Sequence, residues 1–191
     1  MKPYFTPFDQ TYNKLFRETI APIAGVIPMQ NNLQYQLLEK RTVNAVHNAM
    51  KICKIDETDP DLGTILNNFS KLRRMECEIL FKCGWYLRRE TPELLPRFAQ
   101  ADTFQNSAGN YVYDVLTHML LKGEYTLYPP FLDSHDACES LYEEIYQARH
   151  ALEKRFGFGS MNDTISDILF CNYDLLRFCA VTMFDYATQS S

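Results

Sequence analysis

His135 and Asp136 adjoin, and an imidazole beside a carboxylate can hold a divalent metal when a distant His and a later Asp complete the ligand set. His118 and Asp167 are the residues this chain offers for those places. A local reading competes. The pair stands in the first turn of a helix that starts near Ser134, just after Asp133, where a carboxylate is favoured by the helix dipole and by unsatisfied amides. That reading is the expectation, and with it no metal and no other cofactor. Glu139, Glu143 and His150 follow at spacings of four and seven and share one side of the same helix. Carboxylate-bridged metal bundles use Glu-x-x-His, but the residue three before His150 is Gln147, so this side reads as a solvated face. His47 lies away from Val46 and Ala49 on its helix and also reads as exposed.

Nucleophile and phosphate signatures are absent: there is no GxSxG, Walker loop or GxGxxG. The glycines of FGFGS, residues 156 to 160, follow a helix and read as a link between helices. The cysteines (Cys53, Cys77, Cys83, Cys138, Cys171, Cys179) form no CxxC pair. They sit in helix-patterned segments and are expected to be reduced, mostly buried thiols.

The strongest candidate for recognition is KLRRMECEILFKCGWYLRRE, residues 71 to 90, which gathers six basic residues against three acidic ones in a chain of net charge −5. At about 100° per residue, Phe69, Leu72, Ile79, Leu80, Cys83 and Leu87 form a core face. Lys71, Arg74, Glu78, Lys82 and Arg89 form a second face. Phe81 and Trp85, the sole tryptophan, fall between that face and Arg88. An aromatic ringed by arginine suits an interface, where Trp and Arg carry much of the binding energy, so Arg74, Lys82, Trp85, Arg88 and Arg89 are the expected binding residues. The competing expectation is that another helix covers Phe81 and Trp85 while the cations face solvent or pair with Asp136, Glu139, Glu143, Glu144 and Glu153.

Glu76 interrupts the core face between Leu72, Leu80 and Cys83, and Asn172 interrupts the stripe of Ile165, Leu169, Leu176 and Cys179. Buried polar groups must be satisfied, so each is expected to make a structural hydrogen bond, with Arg177 or a tyrosine as partner.

Helical periodicity accounts for nearly all of the elements that position these residues. A first helix is expected from Thr6 to Pro22 and a second over 32–54. Asp59 and Pro60 cap and open a long third helix that ends before Thr91 and Pro92. Thr91 would cap a short helix limited by Pro96 to two turns. Ser107 opens a helix ending at Gly123. The segment 134–156 repeats Ala137, Leu141, Ile145, Ala148, Leu152 and Phe156 at helical spacing. Ser160 with Asp163 caps a last helix to about Ala187, apolar almost all round and so expected at the centre.

These signals predict one all-α domain over 1–191: a bundle of about five long helices with one or two short ones. The 191 residues are 46% apolar and 23% charged, enough for a core that buries roughly 70% of the unfolded surface. The acidic balance argues against a protein devoted to duplex nucleic acid. The first sixteen residues carry prolines and an acid where a secretion signal needs an apolar run, and Ala21 to Leu38 is too polar to span a membrane. The expected function is that of a non-enzymatic cytoplasmic helical protein acting through another protein, an acidic segment being the fitting partner; the extra aromatics also allow a homodimer. Nucleic-acid or phosphoanion binding by the same basic face is one alternative. A metal-dependent phosphohydrolase using His135 and Asp136 is the other.

Overall fold

In the computed structural model, residues 32–102, 107–122, 132–156 and 160–189 are described, and the expected helix between Thr6 and Pro22 lies outside them. Among the described residues the fold is all-α, with five long helices and a short one: α1 (Leu33–Cys53), α2 (Pro60–Glu90), α3 (Leu94–Ala101), α4 (Ala108–Lys122), α5 (Leu132–Phe156) and α6 (Ser160–Gln189). Residues 1–37 and 38–191 form separate compact units. Of the first unit, the described part is the opening of α1, where the Asn32 side chain accepts from the amides of Gln34 and Tyr35 at 2.9 and 3.2 Å.

The second unit is a bundle centred on α2 and α6, which share the most extensive contact; α5 packs next on α2. Phe69 meets Tyr173 edge to face at 4.9 Å, and Gly84 lies against Phe184 and Ala187, so α2 and α6 run parallel. Arg155 reaches Asp59 at 2.9 Å and Glu144 reaches Asn68 at 2.7 Å, so α5 runs antiparallel to α2. Leu62, Ile65, Leu72, Ile145, Ile165 and Phe184, each no more than 1% exposed, mark the shared core. The last helix is central as its all-round apolar pattern requires, and α2 shares that position.

Local signals set the ends. Asp59 accepts from the amides of Asp61 and Leu62 at 3.1 Å each, with Pro60 in the first turn. The guanidinium of Arg155, bonded to the same carboxylate, holds it below the usual carboxylate range. At the end of α1, Lys54 adopts a left-handed φ of 54° and the Ile55 amide reaches back to the Met50 carbonyl at 3.1 Å, a Schellman closure.

Two expectations about α3 are corrected. Its N-cap is Glu93, not Thr91, and no side chain caps it; Thr91 ends α2 instead, and its buried hydroxyl has no hydrogen-bond partner. At eight residues the helix has the two turns expected, but Pro96 does not set that length. It occupies the third position, where the missing N–H would have no intrahelical acceptor, and α3 continues to Ala101.

No helix among the described residues is long and apolar enough to cross a membrane. All six cysteines are free and buried, and burial pushes the Cys83 and Cys138 thiols up to about 12.

Candidate functional site

Helix α2 carries Arg74, Glu78, Lys82, Trp85 and Arg89 at spacings of four, four, three and four, which places them on one stripe. Arg88 borders it. Arg74 and Arg89 are exposed, while Lys82, Trp85 and Arg88 are half-buried. The guanidinium of Arg89 lies over the Trp85 ring, 4.6 Å from its centroid, a cation–π contact. A guanidinium carries five N–H donors, so one held against a ring can still meet a carboxylate. One turn before Trp85, Lys82 pairs with Glu78 at 2.9 Å. From Arg74 to Arg89 the stripe extends about 22 Å at 1.5 Å per residue.

The structure thus carries four of the five expected binding residues, Arg74, Lys82, Trp85 and Arg89, on one stripe, with Arg88 at its border. Phe81 is 2% exposed and belongs to the core, as the expectation of a covering helix had it, whereas Trp85 is half-buried. Of the acids offered to these cations on α5, Asp136 has its side chain outside the described residues, and Arg74 and Arg89 at the ends of the stripe are exposed. Glu144 accepts from Asn68, Glu153 pairs with Arg149 at 2.7 Å and His150 at 3.3 Å, and Lys82 finds its acid on its own helix.

Close packing behind the stripe fixes its height. A Cβ on Gly84 would stand 2.6 Å from the Phe184 carbonyl oxygen, so glycine here lets α2 settle directly onto the α6 backbone. Trp85 is the next residue and rides on that contact.

A second polar group lies inside the bundle. Glu76, 2% exposed, accepts from the Tyr113 hydroxyl at 3.0 Å through Oε2 and from the Tyr142 hydroxyl through Oε1. Burial pushes its carboxyl up to about 7, against the opposite pull of the two hydroxyls. Burial and the charge of Glu76 together raise both phenols. The expected hydrogen bond is present, and its donors are tyrosines that the helical pattern did not single out. Arg177 touches this network indirectly: it lies 5.4 Å over the Tyr113 ring and binds Asp114 through two N–H groups, at 2.7 and 2.9 Å. Asn172 is half-buried and donates to the Ile168 carbonyl of its own helix at 2.8 Å, an intrahelical bond in place of the expected one to Arg177 or a tyrosine.

Of the four metal candidates, only Asp167 has its side chain among the described residues. Asp167 is exposed on α6, and the side chains of His118, His135 and Asp136 lie outside the described residues. Among the described residues no three His, Cys, Asp or Glu side chains cluster as a metal site would. Glu139, Glu143, His150 and His47 are exposed. A shallow groove of about 90 Å³ runs between α5 and α6, floored by Ile145 and Leu169 and rimmed by Arg149, Phe170 and Tyr173.

No protein-family model, no curated protein and no solved structure matches the chain.

Proposed function

We propose that the protein is a non-enzymatic cytoplasmic adaptor or regulator that acts through protein–protein interaction, receiving an acidic segment of a partner protein along Arg74, Lys82, Trp85, Arg88 and Arg89. The observation that carries this reading is the Arg89 guanidinium held 4.6 Å over the Trp85 ring on a stripe with exposed cations at both ends. The cation–π contact restrains a side chain that would otherwise lose much rotamer entropy on binding, and an arginine restrained in this way is a prepared carboxylate fork. The stripe is long enough for about seven residues of extended partner chain or four turns of helix. Opposite charge on the partner speeds its encounter with the basic face and orients it there.

The test is capture from the native host by the intact chain and by a Trp85→Ala/Arg89→Ala double variant, with mass-spectrometric identification and cross-link mapping. A partner held through an acidic segment and lost by the double variant, at unchanged helicity by circular dichroism, is the expected result. Undiminished capture refutes the assignment. Tight binding of a single-stranded oligonucleotide that collapses steeply with rising salt would replace the protein partner by phosphates.

A further inference from the structure

The Glu76 cluster joins three helices through one carboxyl group. Its two oxygens each receive a tyrosine hydroxyl, Tyr113 from α4 and Tyr142 from α5. Among the described residues, titratable and charged neighbours come from α2, α5 and α6. On α2 itself Cys77 is next in sequence, with Arg73 close to that thiol; α5 adds Cys138; α6 adds Tyr173, stacked on Tyr142 at 6.2 Å, and Arg177 behind the Tyr113 ring. Arg177 is engaged by Asp114, and among the described residues Glu76 makes no ion pair. An ionised carboxylate here therefore rests on two neutral hydroxyls in an apolar surround.

We propose that Glu76, Tyr113 and Tyr142 form a proton-operated clamp on α4, closed when the carboxyl is protonated and opening more often when it ionises. Helix α4 is the element that yields. It spans 15 residues against the 31, 25 and 30 of α2, α5 and α6, and its departure would admit water to the carboxylate. A carboxyl raised from 4.5 to about 7 by burial binds more protons in the closed form than in the open one. The stabilisation is complete below about pH 4.5 and is lost as the pH rises through about 7. The clamp thus loosens toward neutrality and levels off above it.

Hydrogen exchange of 108–122, corrected for the intrinsic pH dependence of amide exchange, tests this on the full chain. Between about pH 5.5 and 7.5 the opening of α4 should increase about twentyfold. Glu76→Gln should abolish that increase and leave α4 better protected at the higher pH. No pH response in the natural chain, or the same response in Glu76→Gln, overturns the clamp. Should that variant not fold, the infrared carbonyl band of a protonated buried carboxyl decides on the natural chain: present at pH 5.5 and lost through neutrality, it supports the clamp; absent at pH 5.5, it overturns it.

Discussion

Gly84→Ala tests the packing on which the Trp85 stripe rests. In an open helix interior the change would stabilise by about 1 kcal/mol, the intrinsic advantage of alanine over glycine. Here the new Cβ would meet the Phe184 carbonyl oxygen at 2.6 Å and the Ala187 Cβ at 3.1 Å. A relaxed carbon–oxygen contact needs about 3.3 Å, so the two helix backbones must part by about 0.7 Å across their most extensive interface. Forcing such a shift in a packed core costs about 1–3 kcal/mol, and a backbone obstacle belongs to the upper part of that range. The net effect should be a loss of about 1–2 kcal/mol. Gly63, in the same helix, is the internal control, because a Cβ there meets nothing within 4 Å. Gly63→Ala should gain up to about 1 kcal/mol, so the two substitutions of one type should move stability in opposite directions. Urea denaturation followed by Trp85 fluorescence measures both, and for a chain of this size each kcal/mol should shift the thermal midpoint by about 2–4 °C. A Gly84→Ala protein as stable as the natural chain would refute the close approach of α2 and α6.

Further predictions follow from the helix ends and the buried carboxyl. Lys54→Gly should stabilise by about 0.5–1 kcal/mol in the same denaturation assay, because a β-carbon is strained at the left-handed φ of 54° that closes α1. Asp59→Ala should destabilise by about 1–2 kcal/mol through loss of the α2 cap, with some further loss from the half-exposed Arg155 pair. Because Arg155 holds the Asp59 carboxyl below 3.8, its contribution is present above that pH and lost as the pH falls below it, so the two chains should converge in stability on acidification. Glu76→Gln should make global stability flatter between about pH 4.5 and 7 and higher at neutrality than in the natural chain.

Helix identity and most boundaries were legible because local physics dictates them. Asp59 followed by Pro60 announces a cap and a first turn, and Gly157 with Ser160 separates two periodic segments; α2, α5 and α6 begin and end within two residues of the expected places. The α3 boundary was misread because Thr91 resembles a cap until tertiary packing makes it the end of the preceding helix. Glu76 was legible as a buried polar group from its position on an apolar stripe. Its donors were not, since the chain has 12 tyrosines and nothing in helical periodicity sets the relative register of α2, α4 and α5. The wheel left Phe81 open between a covered and an exposed reading for a related reason. A wheel gives the angle between Phe81 and Leu80, but the arc that α6 and its neighbours cover depends on how closely helices approach, and Gly84 makes that approach unusually close.

The most direct measurement on the interaction stripe uses the sole indole of the chain. Trp85 emission is titrated with the acidic segment mapped by cross-linking, for the natural chain and for Arg74→Ala and Arg89→Ala. The account predicts a saturable change in emission, with affinity reduced about two- to fivefold by each arginine substitution, as expected for solvent-bordering charge pairs worth about 0.5–1 kcal/mol. Binding of the segment, seen by calorimetry, with Trp85 emission unaltered and affinity indifferent to both arginines would contradict it.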